Sequence, residues 1–565
     1  MGGSIAGGEF NVAVGNYTLD ALTSGDNNVA IGYNAGQAQT TAGANVLIGE
    51  GAGQALTTGG ANVIIGKGAA RSGTLTGDTN VYVGGEAGAF NSSGSSNIGI
   101  GYAALDGFDT ESNNLAIGRD ALGGAVAGGE YNVAIGNYSL DALTSADNTV
   151  AVGYNAGTAL TVGADNTFIG AYAGAATVDG ASNTCVGNGA GQLGNMTNGH
   201  NTLIGYVSGQ DLAAGQKNVF IGEASGKEAT STENSVVIGY NAVATGVMTG
   251  NQNTIVGAES GSALTSGNIN TVFGPYALKG CTTGSKNIAI GSDALRYPDT
   301  EDSNLAIGFQ ALGGSSLAGG EDNVAIGNHT LQSLVAADQC VAVGYNAGND
   351  IVNATGNNLF GYAAGSVISS GSNNTAVGRN AGQTNTSGDN NIQIGYNAKT
   401  SASDTSNSIV IGVDIATVAD RVAIGKSGAL IYADFASSAT WTQSSDERLK
   451  DNITSTDLGL EFVNELRPVT FKWKDTTTVP EELTKQKTEV NAKNTETLQY
   501  GLIAQEVKSA MDKVGHDKFT GWDLDEDDSQ SLREGQFIYP LIKAVQELSA
   551  QVTTLQNEVN TLKGE

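Results

Sequence analysis

Asn11–Gly15 (NVAVG), Asn28–Gly32 (NVAIG), Asn45–Gly49 (NVLIG) and Asn62–Gly66 (NVIIG) are one five-residue unit written four times. The unit Asn-x-x-[Ile/Val/Phe]-Gly continues down the chain, with its glycines at 15, 32, 49, 66, 84, 101 and onward to 412 and 425. That makes 25 units, nearly all 17 or 18 residues apart, with one interval of 19 and a last one of 13. Such a period is the mark of a stacked repeat architecture. The residue before the glycine is Ile, Val or Phe in all 25 units, which reads as a β-strand position facing a continuous core. The first column is Asn in 20 of 25, and stacked amides can bond along the axis. A small residue, Ala or Ser, stands three places past the glycine in 21 units, as at Ala35, Ala52, Ala69 and Ser208, and suits a tight corner. The glycine is expected to take a backbone conformation that a Cβ forbids.

One such coil cannot bury a core alone, but a stack can. The expected fold is mainly β: a parallel β-solenoid or β-roll of about 17-residue repeats, advancing about 4.8 Å per coil into a rod of roughly 115 Å. Gly128–Leu140 recurs almost intact as Gly319–Leu331, and a third copy opens at Gly7, so block duplication is expected.

Composition divides the chain. The 565 residues would allow three or four ordinary domains and carry a net charge of −30. Residues 1–444 hold 12 Lys+Arg, 33 Asp+Glu and 76 Gly; residues 445–565 hold 14, 23 and 6. The expected organisation is a repetitive shaft over 1–425, a junction over 426–444, and a small α+β domain over 445–565. The negative charge argues against a nucleic-acid or anionic-membrane partner. No run approaches the ~20 apolar residues of a membrane span, and the first residues lack the basic and apolar regions of a secretory signal. Cys185, Cys281 and Cys340 are scattered and odd in number, so neither a zinc site nor a disulfide framework is expected. Cofactors and metals are expected to be absent.

The shaft resembles the heads of trimeric autotransporter adhesins, parallel β-rolls built from Asn-Ser-x-Ala-Ile-Gly units; similar glycine-rich repeats occur in phage tail fibres. After it, Ser444-Ser445-Asp446-Glu447-Arg448-Leu449-Lys450-Asp451-Asn452-Ile453 resembles the opening of the S74 peptidase family, the intramolecular chaperone of phage tailspikes and fibres. The resemblance runs on through Leu466–Trp473, Tyr500–Val507 and Ile538–Leu548 in the family's order. It implies that Ser445 is a nucleophile, Lys450 its general base, and Ser444–Ser445 the scissile bond of one self-cleavage, with no turnover of an external substrate. The residues by themselves leave another reading open, because Ser444-x-x-Glu447 fits a helix capping box. A spacing of five does not by itself place Ser445 and Lys450 on one helix face.

The last segment reads as a coiled-coil helix, with Val545, Val552 and Val559 on one seam position and Leu541, Leu548, Leu555 and Leu562 on the other. Valine at a with leucine at d favours two strands; the resemblance implies a homotrimer. The functional expectation is a phage tail fibre, made in the host cytoplasm, part of the virion tail, that attaches to a glycan or protein receptor on the bacterial surface. Another virion tail protein is expected to hold its amino terminus. A bacterial trimeric surface adhesin and a polysaccharide depolymerase are the alternatives.

Asp523, Asp525, Asp527 and Glu534 match calcium-loop spacing, but Asp528 replaces the turn glycine, so an acidic loop is expected. The pairs Asp109/Glu111 and Asp299/Glu301 are expected in solvated loops rather than in a glycosidase site. Tyrosines following the repeat glycine (Tyr33, Tyr102, Tyr154, Tyr206, Tyr240, Tyr345, Tyr362, Tyr396) are expected to pack between chains. His200, His329 and His516 form no cluster.

Overall fold

The computed structural model describes residues 7–125, 127–314, 317–435, 438–443, 445–480, 495–525 and 528–564, with the backbone alone at 438–443. The chain forms two compact units, Met1–Ser444 and Ser445–Glu565.

The first unit is a parallel β-solenoid. Twenty-three three-residue strands, from Val12–Val14 to Ile392–Ile394, are followed by Ile409–Val413 and Arg421–Lys426 in the same ladder. Each strand pairs in parallel with the equivalent residues one repeat on, as in Val12↔Val29 and Thr202↔Val219. Two antiparallel strands, Ala429–Asp434 and Ser438–Gln443, close the sheet. The glycine after each strand has φ near +135°, and at Gly205 a Cβ would drive into the carbonyl oxygen of Gly222 in the next coil. This is the forbidden conformation that the glycine column implies.

The invariant apolar column does not face the core. In strand Thr202–Ile204 the middle residue Leu203 is fully buried, while Ile204 is 37% exposed. The same alternation holds along the shaft: the second strand residue points inward and the first and third point out. The reason is the pleat, which sends successive side chains to opposite faces. Because the Asn is buried, parity places the residue two further on inside and the residue before the glycine outside.

The inward column varies widely (Ala30, Leu47, Tyr82, Gly99, Phe220), yet the core stays closed. Compensation comes four residues past the glycine. Coils with a large inward residue have glycine there: a Cβ on Gly88 would strike the Tyr82 ring, and one on Gly226 the Phe220 ring. Several coils with alanine or glycine in the strand carry leucine there, as in Gly99 with Leu105, Ala134 with Leu140 and Ala325 with Leu331. At Ala30, Ala151, Ala342 and Ala376 that position is also glycine, and large residues of neighbouring coils reach in, so that a Cβ on Gly36 would meet Leu19 and Leu47 and one on Gly157 would meet Leu140 and Phe168. The two columns share one volume at constant packing density. The small residues three past the glycine, such as Ala35, Ala52 and Ser208, are buried at the corner.

The asparagine ladder runs mainly through the backbone. Asn201 Oδ1 accepts from the Asn218 N–H at 3.1 Å, and Asn218 Nδ2 donates to the Thr232 carbonyl at 2.7 Å. Direct amide contacts such as Asn218 Nδ2 to Asn201 Oδ1 (3.1 Å) join only some neighbours. A second ladder, not seen in the sequence, lies two residues before the Asn: the N–H groups of Glu233, Asn251 and Asn268 donate to the side chains of Asn251, Asn268 and Ser285. Both ladders pair polar groups that the coils would otherwise bury unsatisfied.

The paired acids are not loop ornaments. Glu111 and Glu301 are buried, a correction to the solvated-loop expectation. Glu111 accepts from the N–H groups of Asp109, Thr110 and Gly128, and Glu301 likewise from Asp299, Thr300 and Gly319. Each braces a longer coil in the duplicated block. All three cysteines are buried and free. Burial pushes the Cys281 thiol up to about 12.

The second unit is α+β. Helices α1 (Leu460–Glu465), α2 (Ala504–Lys513) and α3 (Ile538–Lys563) accompany two antiparallel hairpins, Val469–Phe471 with Gln499–Gly501 and Trp522–Leu524 with Gln530–Leu532. Phe462, Val507, Ala510 and Met511 form its core, lined by Phe519, Trp522 and Phe537. Gly459 cannot cap α1, so Glu547 of α3 does, accepting from the Leu460 N–H at 2.7 Å. The seam valines and leucines of α3 are exposed. No helix among the described residues is long and apolar enough to cross a membrane.

Candidate active site

The Ser445–Lys450 motif folds on itself. Asp446 caps a single 3₁₀ turn, Glu447–Leu449, accepting from the Arg448 N–H at 2.9 Å. The Arg448 guanidinium returns to both Asp446 oxygens, at 3.0 and 2.6 Å, and holds that carboxyl below its ordinary value. Asp446 is the cap of this turn. The turn is flanked by extended residues, Asp446 before it and Lys450 after it. Extended, tightly turned, then extended again, the chain reverses, and Lys450 Nζ comes to 2.7 Å from Ser445 Oγ. A continuous α-helix would hold these two side chains on different faces; the short 3₁₀ turn brings them together. Ser444, on the other side of the proposed bond, lies outside the described residues.

Both side chains of the pair are exposed. Beside them Leu449 and Ile453 are 72% and 62% exposed. A serine hydroxyl in hydrogen-bond reach of an amine has the geometry for proton transfer, once the amine is neutral. The rest of the unit anchors this opening segment's successors: Arg467 Nε donates to Glu506 Oε2 at 3.0 Å, tying the chain after α1 to α2, and Lys513 reaches Glu465 at 2.6 Å.

Asp523 is paired with Arg533 at 2.6 Å, Glu534 opens a 3₁₀ turn, and Asp527 lies outside the described residues. No group of metal-ligating side chains is found among the described residues. The tyrosines after the repeat glycines are about half-exposed; Tyr345 and Tyr362 stack at 5.4 Å, and Tyr33 and Tyr154 meet tyrosines of neighbouring coils edge-on.

Residues 445–516 match the model of the Peptidase S74 family, described as the chaperone of endosialidase. The match begins at Ser445, the boundary of the second compact unit. With the β-solenoid before it, the chain is similar to proteins of the tail-fibre and tailspike type, and the matched family implies an autoproteolytic chaperone. No curated protein matches the chain.

Proposed function

We propose that the chain is a phage tail fibre whose carboxyl-terminal unit assembles three copies and then cuts itself away. The observation that carries this reading is the 2.7 Å contact between Lys450 Nζ and Ser445 Oγ at the head of the matched domain. Ser445 Oγ gives its proton to the neutral Lys450 amine and attacks the Ser444 carbonyl carbon. The Ser444–Ser445 C–N bond breaks, and the proton passes to the departing nitrogen of Ser445. The acyl group rests on Oγ as an ester until water hydrolyses it. A carboxylate remains at Ser444, a free amino terminus at Ser445, and Oγ is again a hydroxyl. The reaction happens once per chain.

The shaft explains why such a unit is useful. Its coils are nearly interchangeable, so copies slipped by one repeat bury almost the same residues. Unpaired parallel strands also leave edges that aggregate. A terminal unit that gathers the copies fixes the register once, and its removal leaves the shaft kinetically locked. The finished shaft attaches the virion tail to a glycan or protein of the bacterial surface, with another tail protein holding its amino terminus.

Ser445→Ala removes the attacking oxygen and Lys450→Ala the base. Both variants should fold and assemble yet stay whole at 57.0 kDa. Cleavage persisting in Ser445→Ala would assign the cut to an external protease.

A further inference from the structure

The first and third residues of the 23 short strands of the shaft point outward, and none of these 46 positions is charged. The chain as a whole carries −30. The third position, the residue before the glycine, is the stricter of the two. It is always Val, Ile or Phe, while the first position admits six threonines (such as Thr167, Thr202 and Thr375) and Asn358. Yet the third position is as open as any in the strand: Ile31, Ile100, Ile169, Phe273 and Phe360 are all counted among the exposed large hydrophobics. A column that is at once exposed and without a single polar residue is the reverse of a water-facing surface.

We infer that this strand face is where copies of the chain meet, parallel and rung for rung, with the column before the glycine turned to the shared axis. The inference rests on the homotrimer reading above and adds which face closes it. Three observations favour a copy of this chain as the occupant. The stripe repeats at one coil spacing over the whole shaft, and only another such shaft offers matching rungs over the same length. The charges sit on the remaining faces, where they keep shafts apart. In the second unit, α3 also exposes an apolar heptad seam (Val545, Val552, Val559 and the leucines), a pattern of the kind by which helices pair with copies of themselves. The threonines of the first column then lie at the rim of the contact, where hydroxyls reach water.

Two experiments on the full chain test this. Light scattering of the variant Ile290→Glu/Ile307→Glu/Ile326→Glu should give single folded chains with the circular dichroism of the wild type, which should itself be trimeric. A trimeric variant would overturn the face while leaving the trimer intact; a wild type that is a single chain would overturn the homotrimer reading and this one together. Should the variant not fold, cysteine scanning decides. The native thiols are buried, so a new surface cysteine is the reactive one. Ile307→Cys should form an interchain disulfide on mild oxidation, read as a covalent dimer that Thr300→Cys, at an exposed turn, does not give. Equal cross-linking at both sites, or cross-linking at Thr300→Cys alone, would overturn the inference.

Discussion

The two units hold themselves together in opposite ways. In the shaft the main contacts are copies of the contact one coil away: strand to strand, Asn218 to Asn201, Gly205 beneath Gly222. In the second unit each contact is singular and joins distant parts of the sequence, as when Glu547 caps α1 across 87 residues or Arg467 reaches Glu506. The comparison teaches a division of labour. A periodic fold is easily lengthened but carries no mark of where it should start. A non-periodic fold has one register and can lend it to its neighbour.

The largest expected effect comes from separating the units before folding. A chain ended at Ser444 should give aggregated shaft, whereas shaft released after assembly should stay soluble and assembled. Equal yields of both would mean that the shaft finds its own register and that the contrast between the units is only architectural. Next in size is a contrast inside the shaft. Leu203→Asp places an uncompensated charge in the core and should cost on the order of 5 kcal/mol, enough to abolish soluble protein. Ile204→Asp, one residue on, should leave each chain folded and weaken only association. Comparable loss of circular dichroism in both would restore the inward reading of that column.

A smaller effect sharpens the account of the varying core. Phe220→Ala leaves a cavity and Gly226→Leu overpacks the Phe220 ring. The double variant rebuilds the pairing already present at Ala134 and Leu140, so it should be more stable than the sum of the two by about 1–3 kcal/mol in denaturant unfolding. Strict additivity would show that the two positions do not share a volume.

The smallest concerns charge. Partial burial, then Asp120, Asp141 and Glu86, push the Asp106 carboxyl up to about 6 from an ordinary 3.8. The folded shaft therefore takes up a proton that the unfolded chain does not between those values, and stability falls as pH rises through about 6. Asp106→Asn should raise Tm slightly at pH 7.5, within about 1 kcal/mol because the site is half open to solvent, and the gain should vanish below pH 4. A gain that is the same at both pH values would remove the carboxylate as its cause.

Much of this was legible in the sequence. Glycines at one spacing gave away the coil, because no other residue tolerates the backbone at Gly205. The facing of the strand is not legible from constancy, because a constant apolar column marks a constrained position and not by itself a buried one. The constant column, Ile204 and its equivalents, points outward, and the inward column varies because the residue four past the glycine, or a large residue of the neighbouring coil, fills the space it leaves. The buried Asn201, two residues before Leu203, holds the parity that sets the facing. Glu111 and Glu301 were hidden because their partners are backbone N–H groups, which leave no trace in side-chain identity. Ser445 and Lys450 were found through family likeness, since a spacing of five says nothing until the 3₁₀ turn at Glu447–Leu449 is known.

The central claim is that the bond between the two units is cut by the residue that follows it. Intact-mass measurement of freshly assembled wild-type chain tests it most directly. The account predicts two fragments, residues 1–444 and 445–565, the smaller beginning with a free Ser445 amine. An assembled protein that stays whole at 57.0 kDa, or one cut at any other bond, would contradict it.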